Sequence, residues 1–165
     1  MGKVDTELVI TDVLNVKTVL QGCTGMITNA MVKAGTGVGA SKLEAWHREC
    51  WGQISTAVTE TKVLGIIRGS TGDTVGVEVT NQAACSGSST VTVDVKKNGV
   101  SILSAVVTLN SASSITVPIA GTVTTTSLAD GDIITGVITT VASGTDALAT
   151  GVSLQWDWNE DHPSA

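Results

Sequence analysis

The chain has no phenylalanine and no tyrosine, and tryptophan, at four positions, is its only large aromatic residue. Any core must therefore be aliphatic, built from Val, Ile, Leu and Ala packed with Thr. Proline occurs twice and histidine twice, at His47 and His162. Acid–base or nucleophilic catalysis needs a nucleophile, a base and an orienting group, or a metal. With His162 in a polar tail and no spacing that sets two carboxylates across a cleft, no enzymatic activity and no cofactor are expected. Basic residues are scarce: nine against fifteen acidic ones, for a formal charge of −6 and a pI near 4.7. A polyanion would be repelled by such a surface. Lys96-Lys97 and the pair Lys33 and Lys42 are too few to reverse this, so nucleic-acid binding is not expected. No apolar run is long enough to span a bilayer. The opening segment, with Asp12 and Lys17, is too charged for a secretory apolar core. Cys23, Cys50 and Cys85 are odd in number and widely spaced, which fits free thiols in a reducing cytoplasm; one disulfide could form among them, with no pairing favoured.

What is present is alternation. In Ser89 to Asn110, Val91, Val93 and Val95 alternate with Thr92, Asp94 and Lys96, the period of a strand with one buried face. Asn98-Gly99 follows, and both residues tolerate the positive φ of a tight type I′ hairpin turn. Beyond it Leu103, Ala105, Val107 and Leu109 mark one face and Ile102 and Val106 the other. Apolar residues on both sides predict a central or interface-facing strand. Further strands are predicted over 62–68, 74–81, 114–119, 132–141 and 149–158, with Pro118 marking an edge or a strand end. Seven or eight short strands with turns every 8–12 residues or so predict an all-β, antiparallel β-sandwich. Ala129-Asp-Gly-Asp132 reads as a turn. As a calcium loop it lacks further oxygen donors at fixed spacing.

The first part of the chain is less regular. Val9, Val13, Val16 and Leu20 form a short heptad-like stripe in residues 6–22, while the β-branched content favours extended structure. An arm docked on its own domain and an anchor for another protein remain equal readings. Residues 23–42 read as a Gly/Ala-rich connector. Its GTGVG run lacks the Gly-Lys-Ser/Thr of a phosphate loop and the full glycine fingerprint of a dinucleotide site. Ser41-Lys-Leu-Glu44 matches a helix capping box. The competing strand puts Trp46, Arg48 and Cys50 on one face and His47, Glu49 and Trp51 on the other, and is favoured. His47 with Cys50 supplies two potential zinc ligands where a structural site takes four. The expected organisation is an N-terminal arm (1–22), a connector (23–42), a β-sandwich domain (43–158) and a polar tail (159–165).

The order of these pieces resembles bacteriophage virion proteins that decorate heads or form short head fibres. The resemblance is carried by ITNAMVKAGTGVGASKLE (27–44), IRGSTG (67–72), TVTVDVKKNGVSIL (90–103), LADGDIITGVI (128–138) and GTDALATGVSLQW (144–156). It implies a jelly-roll-like β domain and a connector winding on a threefold axis, with trimer contacts at Ile27, Met31, Val38 and Leu43. It also implies a non-enzymatic protein made in the host cytoplasm and carried on the capsid exterior. The expected partners are the major capsid protein or a neighbouring virion protein, and further copies of itself in a homotrimer, with no nucleic acid and no membrane. Val9, Ile10, Val13, Leu14, Val16 and Val19 are the expected capsid contacts, by strand addition to a neighbouring sheet edge. The alternative is a receptor- or carbohydrate-binding module of a fibre. Its glycan contacts would be Trp156, Asp157 and Trp158 with Asn159, joined by Trp46 and Trp51, since sugar sites combine aromatic faces with amides and carboxylates.

Overall fold

The computed structural model describes residues 45–161 of the protein. The arm, the connector and residues 162–165 of the tail lie outside the described residues. Those described form ten strands and no helix. In the first sheet β1 (Ala45–Gly52) pairs with β10 (Ser153–Asp161), β10 with β3 (Thr71–Thr80), and β3 with the short β7 (Ile119–Gly121) and β8 (Ser127–Leu128). In the second, β2 (Glu60–Ile66) pairs with β9 (Ile133–Val141) and β9 with β4 (Thr90–Lys97). The outer side of β4 carries β5 (Val100–Ser101) and β6 (Val107–Leu109). Every pairing between these strands is antiparallel.

The two sheets share one core. Val77, Val79, Trp51, Leu154 and Trp156 of the first sheet pack with Val91, Val93, Val95, Ile134 and Ile138 of the second. With no Phe or Tyr available, Trp51 and Trp156 supply large rings to the core, each opposite a glycine. A Cβ at Gly136 would lie 2.8 Å from a Leu154 methyl and 2.9 Å from the Trp51 ring; one at Gly65 would lie 3.5 Å from Trp156. Trp156 is fully buried, and its indole N–H donates to Thr74 Oγ1 at 3.2 Å. The polar edge of the ring is thus paired inside an apolar layer.

The hairpin turn forms at Asn98-Gly99, with φ of 50° and 84°. Its second arm is not the continuous central strand that the apolar pattern predicts. The chain pairs with β4 for two residues, leaves at Ile102, and returns as β6, all on the outer side of β4. Ile102 and Leu103 are consecutive and both buried, which a straight strand with one face in solvent does not permit. The backbone turns there. Thr124 donates to the Ile102 carbonyl at 2.8 Å and Ser104 to that of Thr122 at 2.9 Å, tying the segment toward the β7 side.

The strand predicted over 114–119 is absent. Ser114 Oγ instead accepts the amides of Thr116 and Val117, each at 3.1 Å, closing a local turn. Such side-chain bonds compete with strand pairing, Pro118 has no amide to offer a ladder, and β7 begins only at Ile119. The segment read as a capping-box helix or a strand is strand β1 from Ala45. At the other end β10 continues to Asp161, so Asn159, Glu160 and Asp161 of the expected tail are paired with β3.

Replacing Gly136 with valine should cost about 1–3 kcal/mol, because its side chain must displace a ring held between two sheets. Urea denaturation of the variant should show a lower midpoint with an unchanged slope.

Candidate functional site

The expected capsid contacts Val9, Ile10, Val13, Leu14, Val16 and Val19, and the expected trimer contacts Ile27, Met31, Val38 and Leu43, all lie outside the described residues. The expected glycan contacts lie within them, and the sheet divides them. Cross-strand partners share a face, so His47, Trp51, Leu154, Trp156 and Trp158 point inward, while Trp46, Arg48, Cys50, Gln155 and Asp157 point outward. Trp156 has no exposed surface and presents nothing to a ligand. Trp158 packs on the core, stacked on Trp156 at 6.0 Å and on His47 at 4.1 Å. Of the three, only Asp157 belongs to the outer face. The parity that puts both tryptophans on one side was visible in the sequence; that this side is the inner one was not.

Sequence-adjacent candidates separate in the same way. His47 faces inward and hydrogen-bonds Glu160 at 3.0 Å, while Cys50 is on the outer face. Cys85 is a buried free thiol pointing at the Leu109 carbonyl. Among the described residues no group of three or more His, Cys, Asp or Glu side chains is placed to hold a metal ion.

The Asp-Gly-Asp segment is a turn whose carboxylates are already engaged. Asp130 accepts the Gly69 amide at 2.7 Å. Asp132 accepts the Ala129 amide at 2.8 Å and the Asn98 side-chain amide at 2.6 Å, with Lys97 Nζ at 3.5 Å. Asn98 also exchanges bonds with Ile133, donating its amide to the carbonyl and accepting the Ile133 amide on Oδ1, both at 2.9 Å. The hairpin tip is therefore locked to the start of β9.

The outer faces of the two sheets differ in chemistry. On the first, Arg48 donates to both oxygens of Asp157, at 2.8 and 3.1 Å, and Gln155 donates to the same carboxylate at 3.1 Å. The Asp157 carboxylate raises the Arg48 pKa, by hydrogen bonding first and by charge second. A shallow cleft of about 300 Å³ lies here, lined by Trp46, Arg48 and Asp157 and, from the other side of β1, by the half-buried His47. Trp46 is 59% exposed. On the second sheet Ile66 pairs with Ile133 and Val63 with Thr135, and Val63, Ile66 and Ile133 are all exposed. Toward β2 this face is apolar and Thr-rich, while Lys96 and the buried Asp94 lie on its β4 side.

Burial acts to raise the Asp132 pKa, but the Ala129 amide, the Asn98 amide and Lys97 together hold it below the ordinary aspartate value. A depressed folded-state pKa gives stability that is complete above the unfolded value and is lost as pH falls through the folded one. Asp132→Asn should therefore lower the melting temperature at neutral pH. The gap to the parent should narrow on acidification below about pH 4, as thermal melts across pH will show. No protein-family model matches the chain, nor does any curated protein or solved structure.

Proposed function

We propose that the protein is a structural, non-catalytic component of a phage virion, held on the capsid exterior as a decoration or head-fibre protein. The jelly-roll-like character of the β domain and the N-terminal anchoring arm are parts of this reading. The observation that carries it is the bare face of Val63, Ile66 and Ile133 on the second sheet. Contiguous exposed apolar residues mark contact surfaces on soluble proteins. The adjoining edge of β2 is guarded against strand pairing: Lys62 lies on it, and its register slips between Val63 and Gly65. A charged, bulged edge disfavours indiscriminate pairing, so contact there falls on the face. The hairpin and the Asp-Gly-Asp strand, two of the segments on which the resemblance rests, are joined through Asn98 and Asp132. The second reading, a carbohydrate-binding module, is favoured by the exposed Trp46 beside Arg48 and Asp157, and it uses the opposite sheet.

Light scattering of the full chain should give the mass of a trimer, and the protein should saturate sites on purified capsids. The double variant Ile66→Glu, Ile133→Glu should lose capsid occupancy. Its stability should stay within about 0.5 kcal/mol per substitution, because both residues are exposed. A monomer indifferent to capsids, or a variant that still coats them fully, would refute the reading.

A further inference from the structure

We propose that the outer face of the first sheet is a saccharide-binding surface centred on Trp46, and that it takes a neutral oligosaccharide. The inference rests on the carbohydrate-binding reading given above and deepens it by naming the ligand class; it is independent of the virion reading, whose apolar face lies on the other sheet. Three observations carry it.

The first is Trp46 itself. Its neighbours in parity, Arg48 and Cys50, share its face, and its cross-strand partner is Asn159. The other three tryptophans pack inward, Trp51 and Trp156 buried and Trp158 against the core. In a chain that must ration its aromatic rings, one left 59% exposed at the mouth of a cleft is available for stacking. The apolar face of a sugar ring presents C–H groups to such a ring, while its hydroxyls remain free at the rim.

The second is the rim. Arg48, Asp157 and Gln155 form a connected polar plane across β1 and β10. Each member is held by another, so the donors and acceptors they leave over are already oriented. Gln155 is the register partner of Glu78, whose carboxylate makes no hydrogen bond among the described residues. Carboxylate, amide and guanidinium groups side by side suit vicinal hydroxyls, which need a donor and an acceptor at neighbouring positions. At about 3.3 Å per residue, Trp46 to Cys50 spans roughly 13 Å of strand, the scale of a short oligosaccharide.

The third is charge and space. Asp73, Glu78, Asp157 and Asp161 set four carboxylates against the Arg48 guanidinium on this face, which selects against sulfated, sialylated or phosphorylated ligands. The register partner of Asp157 is Gly76, and a Cβ there would meet no atom within 4 Å. The glycine leaves an open notch beside the carboxylate, and its backbone is not in the left-handed region. It can therefore be filled without strain.

The test uses the full chain on an immobilised panel of glucan, galactan, mannan and N-acetylhexosamine oligomers, with sialylated and sulfated oligomers alongside. Titration calorimetry follows on the best neutral binder. Trp46→Ala should weaken binding about tenfold or more, the equivalent of roughly 1.4 kcal/mol. Gly76→Val should block it sterically with an unchanged melting temperature. Ile133→Glu, on the opposite sheet, should bind sugar as the parent does whether or not it binds capsids. Retention of no neutral oligomer at millimolar concentration overturns the assignment. So does preference for the anionic members, or binding that neither Trp46→Ala nor Gly76→Val reduces.

Discussion

The fit of two large rings against two glycines is the contact on which this fold depends. Facing sheets stand about 10 Å apart, and a core without Phe or Tyr has few side chains able to bridge that distance. Trp51 does so over Gly136 and Trp156 over Gly65. The remainder is filled by valine, isoleucine and leucine from alternating positions. Interiors packed to crystal-like density transmit small volume changes, so the glycines matter as much as the rings. Leu154 shares the space over Gly136, which joins β10, an inner strand of one sheet, to β9, an inner strand of the other.

A second constraint acts at one end. The β4–β5 turn and the turn that opens β9 are far apart in sequence, yet Asn98 and Asp132 bond directly. Lys97 adds a bond to the Ser127 carbonyl at 2.9 Å. A hairpin is marginal when isolated; here its tip is clamped by charge-assisted bonds, the stronger kind. The acidic turn acts as a clasp, with its oxygens directed at amides instead of an ion.

The packing also separates two surfaces. Inward rows of both sheets are consumed by the core, leaving one outer face of Arg, Asp, Gln and Glu around a tryptophan, and another of Val, Ile and Thr toward β2 with Lys96 on β4. Side chains on opposite sides of the sandwich can meet different partners without competing. The proposed capsid contact and the proposed sugar contact are separable for that reason.

Local chemistry was legible wherever period and turn type suffice. Asn98-Gly99 announced its turn, Val91 to Val95 and Val152 to Trp158 announced strands, and the two faces of β1 followed from parity. Ser114 to Pro118 misled because its Ser-centred turn offers the backbone closer partners than a neighbouring strand. Ile102 to Val106 misled because alternation assumes a straight strand, and two adjacent core residues bend it. What the residue order determined was that strands exist, where the hairpin closes, and which side chains share a face. Tertiary packing alone decided which face turns inward, because inside and outside are defined by the opposing sheet: Trp156 is buried beneath β2, while Trp46, on the neighbouring strand β1, stands in solvent.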